Sequence, residues 1–547
     1  MPAAVEHVIV VALENRSFDH LLGYVDHPDP LFDGLLKGGP YRNPAWHGQG
    51  PPVEVSPDAK PVLPIDPDHS HDAVMQQLDL RGVGPARRAT NQGFVESYEN
   101  KGRGLASPSF GGLFGPIANL VSRQKVASGQ IEGRGPLVMR CQAPEQVPVL
   151  ATLALEFGVC SKWFSSVPGE TWPNRNFMHA TTSDGTTNIE LRFYDDPTIF
   201  ELLEEHGRSW HIYHDDTPQV WAFNNLWVPS KRRRNWFAFG EFARHVREGQ
   251  LPHYSFIEPN HHPPVHVSPG GGGHGDTSNS QHPGNNRVAN ADYDGYPQNG
   301  RGDEDFHRAE QLLAAIYEAL RSNPEVFERT LLLITYDEHG GLYDHVAPPT
   351  DAHPPGDRPS LLGRLVSFFF HRKTAAFDFT MYGPRVPALV VSPYVRAGTV
   401  SAEVRDHASI PTTLRALFAP DAKPLTRRDQ HAVRFDTLLG LDQPRRGGDL
   451  PDLSAHLPAA PTATREAMLA PPTPVEAEAE APLPEYYRDF VELADQVAAE
   501  LARVAPAEAA EGLAAPAPPA ELGPLARARQ ASAAFTAAAA AARREDG

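Results

Sequence analysis

Cysteine is nearly absent from this chain: 547 residues carry only Cys141 and Cys160. Two thiols cannot build the multi-bridge framework that small extracellular domains use in place of a large core, so they either pair once or lie buried and free. Runs of about 20 apolar residues are also missing, which leaves no candidate for a membrane-spanning helix. The opening Met1-Pro-Ala-Ala-Val-Glu-His has neither the basic start nor the apolar stretch of an export signal. A cytoplasmic location is therefore expected, or a secreted one if a leader was removed ahead of this numbering. Positive charge is scarce too. Lys and Arg number 49 against 68 Asp and Glu, a formal net charge of −19 that speaks against a broad nucleic-acid-binding surface. Lys231 to Arg234 reads as a solvated surface turn. A small phosphate ester is not excluded, because part of the acidity sits in the C-terminal tail and in what reads as a metal site.

What the chain does have is enough length and apolar content for a sizeable core. Hydrophobic residues make up 40%, and 547 residues exceed what one core usually organises, so a large catalytic domain with inserted lobes, or two domains, is expected. The 55 prolines and 44 glycines imply long irregular connections. Val8 to Leu13, Thr330 to Thr335 and Val386 to Val391 are continuous apolar runs that predict buried strands. Gln146 to Phe157 and Asp305 to Arg321 predict helices. Strands alternating with helices indicate an α/β fold with a mostly parallel sheet. Residues 263–304, with four glycines at 270–273, predict a loop insertion. Beyond about residue 460 the composition turns to Ala, Pro and Glu, predicting a peripheral tail with helices at Pro484 to Val504 and Leu525 to Arg544.

Three segments carry chemistry. Glu14 and Asn15 follow the first strand, where α/β sheets collect ligands, and present a carboxylate and an amide oxygen suited to a hard divalent cation. A helix cap is the competing reading. Asp337-Glu338-His339-Gly340-Gly341 ends a second strand with two adjacent carboxylates, which packing alone does not call for. Between them, Ser166-Val167-Pro168-Gly169-Glu170-Thr171 is a stiff loop able to hold one hydroxyl, and Arg175 offers a planar fork of donors matched to phosphate oxygens. A bound metal would make the Thr171 hydroxyl an adequate nucleophile.

With these segments in order, the chain resembles the phosphoesterase family of bacterial phospholipases C and acid phosphatases, a branch of the alkaline phosphatase-like superfamily. The likeness runs from His7 to about Leu417 and includes Pro144 to Leu150, Tyr254 to Asn260, Gly383 to Leu389 and Asp406 to Ile410. It implies an alkaline phosphatase-like α/β core with flanking helices, a smaller lobe and a helical or disordered tail, divided as a catalytic domain over 1–420, an extension of the core over 421–460 and a tail over 461–547. It further implies metal ligation by Glu14, Asn15, Asp337, Glu338 and Thr171, with Thr171 as nucleophile, Arg175 on the phosphate, and His282 and His69 near the leaving group. His261, His262, His266 and His274 are rivals to His282, while His339 and His407 fit direct ligation and a supporting role equally. An oxygen-rich shell favours Ca, Mg or Mn, and nearby histidines keep Zn in play. The expected activity is phosphate-ester hydrolysis through a phosphothreonine, on a small phosphate ester or a phospholipid headgroup. The competing readings are an inactive binding or scaffolding protein on the same fold, and a sulfatase-like esterase.

Overall fold

A computed structural model describes residues 5–61, 63, 65–82, 86–105, 133–261, 278–283, 305–356, 377–457, 485–504 and 523–544. Its centre is an eight-stranded sheet. We label the strands β1 (His7–Leu13), β2 (Gly158–Cys160), β3 (Trp210–His214), β4 (Trp236–Ala238), β5 (Tyr254–Ile257), β6 (Thr330–Tyr336), β7 (Ala388–Val391) and β8 (Thr399–Ser401), in the spatial order β8-β2-β7-β6-β1-β5-β3-β4. All neighbours pair in parallel except β7, which runs antiparallel to both β2 and β6. The α/β class and mostly parallel sheet expected from the apolar runs are thus found.

The two central strands explain their own sequences. From Val8 to Leu13 and from Thr330 to Tyr336 every residue is buried, so both faces must be covered, and unbroken Val, Ile and Leu runs meet that demand. Helices supply the cover. Those used below are α1 (Pro148–Glu156), α2 (Thr171–Ala180), α3 (Asp305–Arg321), α4 (Glu485–Val504) and α5 (Pro524–Arg544). Pro148 opens α1, where its missing N–H costs nothing, and the Glu310 carboxylate of α3 caps it by accepting from the Val149 and Leu150 amides. A smaller apolar cluster gathers Phe94, Tyr98, Leu137 to Met139, Leu342 and Tyr343 beside the main core.

Four sequence readings are resolved or corrected. Cys141 and Cys160 are both buried and free. The basic run is no solvated turn, because Lys231 and Arg232 pair with Glu204 and Glu201 while Arg233 is buried and donates to the Trp227 carbonyl. The C-terminal helices are not peripheral: Leu493, Val497 and Leu501 of α4 and Phe535 and Ala539 of α5 belong to the main core. Phe535 enters an aromatic nest of Trp221, Trp227, Trp236 and His214 at ring distances of 4.7–5.9 Å. Burying that one side chain stabilises the docking by roughly 2–3 kcal/mol. Of the loop insertion, 278–283 is described and the rest of 263–304 lies outside the described residues. Among the described residues no helix is long and apolar enough to cross a membrane.

Candidate active site

Strand register assembles the acidic groups. Leu13 pairs with Tyr336 across β1 and β6, so the next residues, Glu14 and Asp337, emerge side by side. On the other edge of β1, Val11 pairs with Ile257 of β5, which delivers Glu258 to the same end of the sheet. Asn15 then turns with φ +58°, a left-handed conformation Asn tolerates better than most residues, and its amide donates to Asp337 Oδ1 at 3.0 Å. Gly340 packs against this turn at φ +66°; a Cβ there would lie 2.1 Å from the Asn15 carbonyl oxygen, so only glycine fits.

The loop before α2 brings the hydroxyl. Asn174 ties the loop down from inside, accepting from the Val167 amide and donating to the carbonyls of Val167, Gly169 and Glu170. Thr171 is thereby held at the first turn of α2, and its Oγ1 donates to Asn15 Oδ1 at 3.2 Å. The same amide group donates from Nδ2 to His282 Nε2 at 2.9 Å. Asn15 therefore joins the nucleophile candidate to one histidine.

The second histidine approaches from the other side. His69 Nδ1 lies 3.9 Å from Glu338 Oε1, and the two imidazoles stand edge to face with centroids 6.0 Å apart. Their proton affinities diverge. Burial alone would lower His69, but the Glu338 and Asp66 carboxylates outweigh it and carry the ring up to about 9. For His282 burial prevails over Asp66 and Glu14 and the ring is pushed below its usual range. One imidazole is thus charged at neutral pH and the other neutral, a separation suited to dividing acid and acceptor roles. Glu14 and Asn15 retain at most 1% exposure, whereas Thr171 keeps 5% and the His69 side chain 14%, which marks the side from which an ester can enter.

Arg175 corrects the expectation of a phosphate fork. Its Nε donates to Asp337 Oδ2 at 2.8 Å, Nη1 to Glu258 Oε1 at 2.7 Å and Nη2 to the Ala12 carbonyl at 3.1 Å, and the side chain is wholly buried. The guanidinium lies behind the carboxylates and orients them. His407 also stands in support: Trp163 Nε1 donates to its Nδ1 at 3.2 Å, so Nε2 carries the proton and donates to the Asp337 carbonyl at 2.6 Å. His339 sits behind Glu338, with Nδ1 3.1 Å from its Oε2 and Nε2 bonded to Gln77 Oε1 at 2.7 Å. The sequence reading missed one group, Glu258, and named the other, His261, only as a rival to His282. Glu258 and His261 complete the cluster, His261 Nδ1 lying 2.9 Å from Glu14 Oε2 and Nε2 3.2 Å from Glu258 Oε1. The available signal was the acidic residue directly after β5, at the same strand end as the others. His179 is buried among Phe200, Phe223 and Phe256 with neither ring nitrogen hydrogen-bonded, and burial pushes it down to about 3.

Whether these residues suit a cation can be asked of the geometry. Glu338 Oε1 and His69 Nδ1 are buried without a hydrogen bond, a costly state for a carboxylate oxygen, while Glu14 Oε2 is met by the His261 ring at 2.9 Å. Asn15 joins the Thr171 hydroxyl to Asp337 at the same strand ends, so the donor set is oxygen-rich, the chemistry that a hard divalent ion takes. A second acidic group behaves otherwise. Ligand atoms of Asp19, Asp344 and His345 lie within 4.8 Å of one another, but Arg385 already fills that space, donating to Asp19 Oδ1 at 2.8 Å and Asp344 Oδ1 at 3.1 Å. Asp19 Oδ2 accepts from the His345 amide and ring, and Asp344 Oδ2 from the Asp19 amide.

Comparison with known proteins identifies the family. The model of the Phosphoesterase family matches residues 5–419. Non-specific phospholipase C3 of Arabidopsis thaliana is 31% identical over 474 residues, covering 83% of this chain and 77% of that protein. Non-specific phospholipase C6 of the same plant is 32% identical, covering 81% and 73%. Non-hemolytic phospholipase C of Burkholderia pseudomallei (strain K96243) is 28% identical over 83% of this chain and 62% of its own. Among solved structures, a protein in the alkaline phosphatase superfamily from Vibrio parahaemolyticus is similar at 13% identity over 54% of this chain and 66% of its own, with a TM-score of 0.30. With residues 5–419 matched, the chain belongs to the phosphoesterase family and is a phosphoric ester hydrolase.

Proposed function

We propose that the chain is a divalent-cation-dependent hydrolase of phospholipase C type that works through a phosphothreonine on Thr171. The observation that carries this reading is the 3.2 Å hydrogen bond from Thr171 Oγ1 to Asn15 Oδ1, at a strand end that also holds the buried Glu14 carboxylate and the donorless Oε1 of Glu338. Glu14, Asn15, Asp337, Glu338 and Thr171 would hold the cation, which when bound supplies positive charge against the phosphate oxygens and the hydroxyl. Their oxygen character favours Ca, Mg or Mn over Zn.

The chain's own residues account for the remaining steps. Asn15 aims the Thr171 hydroxyl, whose proton is released to solvent, and Oγ1 attacks phosphorus in line while the bond from phosphorus to the leaving alkoxide breaks. His69, protonated at neutral pH, stands on the accessible side and gives its proton to that alkoxide. His282 keeps Asn15 turned correctly by accepting from Nδ2. Water then attacks the phosphothreonine and returns one proton to His69, while the bond from phosphorus to Oγ1 breaks and Oγ1 takes a proton from solvent, releasing the phosphate product and restoring the hydroxyl. Arg175 takes no part in contacting phosphate; it fixes Asp337 and Glu258. The substrate class is a phosphodiester with a phospholipid headgroup, with small phosphomonoesters as the alternative to be measured. Turnover of p-nitrophenylphosphorylcholine against p-nitrophenyl phosphate decides between them. Thr171→Ala is expected to lower kcat by about 10⁴-fold or more while the protein stays folded; unchanged turnover would remove Thr171 as the nucleophile.

A further inference from the structure

The C-terminal helix α4 lies beyond residue 419, where the family match ends, yet it reaches the centre of the site. Phe490 of α4 stacks face to face on the His261 imidazole, with centroids 4.6 Å apart and planes 16° from parallel. The same ring meets Trp172, the residue after the nucleophile candidate, edge to face at 6.2 Å, and Tyr487 stacks behind it at 5.9 Å. Phe490 is 2% exposed, so it is a built-in wall and not a surface side chain. His261 in turn stands against Glu14 and Glu258, and its amide donates to Asp216 Oδ2 at 2.8 Å. The His261 backbone is therefore tied down and both ring nitrogens face carboxylates, while the Phe490 face closes one side of the ring and holds its plane.

We propose that Phe490 is a positioning residue for the cation site: by holding the His261 ring it fixes Glu14 and so sets cation affinity, making the C-terminal helix pair part of the catalytic unit. This inference rests on the reading of Glu14 as a cation ligand. The helix is anchored well enough for the task. Its Leu493, Val497 and Leu501 are core residues, Arg527 of α5 pairs with Asp495 of α4 at 3.1 Å, and Phe535 locks α5 into the tryptophan nest. Outer groups that orient a ligand commonly change metal affinity by about 10–100-fold when removed, without touching the ion.

The test uses the full chain stripped with a chelator. Calcium, magnesium, manganese and zinc chlorides are titrated in turn, and the ion that restores hydrolysis is then followed by calorimetry in the absence of substrate. Phe490→Ala is expected to raise the cation Kd about tenfold while kcat at saturating cation falls less, and Phe490→Tyr, which keeps the ring, to stay within about threefold of the parent. Phe490→Leu fills most of the same space without an aromatic face and decides the matter if the alanine variant does not fold; its Kd is expected to rise about fivefold. In a His261→Gln background Phe490→Ala should add nothing further. A parental Kd in the folded Phe490→Ala or Phe490→Leu variant, or additive effects with His261→Gln, would overturn the inference. Glu14→Gln separates the two levels: loss of calorimetric binding upholds the cation reading whatever Phe490 does, and parental binding removes that reading itself.

Discussion

Two acidic clusters lie at the carboxyl end of the sheet, and they solve the same electrostatic problem in opposite ways. Around Asp19 and Asp344, Arg385 stands between the carboxylates and donates to both, and the remaining oxygens accept from His345 and backbone amides. Around Glu14, Asp337 and Glu338, the arginine is displaced to the rear, where Arg175 holds Asp337 and Glu258; Glu14 Oε2 is met by the His261 ring, and Glu338 Oε1 is left without a donor. The first cluster is a closed ion-pair network. The second needs something from outside. Counting acidic residues does not separate them; counting the donors each oxygen already receives does.

The sharpest way to break the comparison is to remove one carboxylate from each cluster. Glu338→Gln is expected to cut hydrolysis by about 100-fold and weaken cation binding, whereas Asp344→Asn should leave cation affinity within about threefold of the parent. Kinetics and calorimetry on both variants would show it, and equal losses of cation binding would dissolve the distinction. Next in size is Arg385→Leu, which strands two buried carboxylates and should lower unfolding free energy by about 3 kcal/mol, read as a shift in urea midpoint with cation binding retained. The third effect concerns pH. Burial opposes charge on His345, but Asp19 and Asp33 override it and carry the ring up to about 9. A folded-state value above the unfolded one means the stabilisation is fully present below about pH 6.5 and is lost as pH rises through about 9. Unfolding free energy should therefore fall by roughly 3 kcal/mol over that window, and His345→Asn should flatten this part of the profile. A slope that survives the substitution would place its origin elsewhere.

Much of this was visible in the residues. The apolar runs before Glu14 and Asp337 identified β1 and β6, because a strand covered on both faces has no polar alternation to hide it, and helix α3 was found at its observed bounds. Neither the use of Arg175 nor the placing of Glu258 could be read in the same way. A guanidinium facing phosphate and one facing carboxylates look identical in sequence, and the choice is made by strands 83 and 162 residues away. His261 was one of several histidines in a glycine-rich stretch, singled out only when β5 aligned with β1. The C-terminal helices were legible close to their observed bounds, but an Ala-, Pro- and Glu-rich composition placed them at the periphery, whereas two isolated aromatics, Phe490 and Phe535, decide where they pack. Strand β7 was placed by its apolar run, but its antiparallel direction depends on connections that carry no local signal.

The close approach of Gly340 to the Asn15 carbonyl has a consequence for how activity appears in time. The two loops that present the ligands are 322 residues apart along the chain, and they meet only when β1 and β6 are already paired. Contacts of such long sequence separation form late, after the loops they close have lost their freedom. A nascent or partly unfolded chain therefore holds no fragment of a working site. Recovery of hydrolysis after dilution from denaturant should track the slowest structural phase, and the enzyme stays silent until the whole sheet is in place.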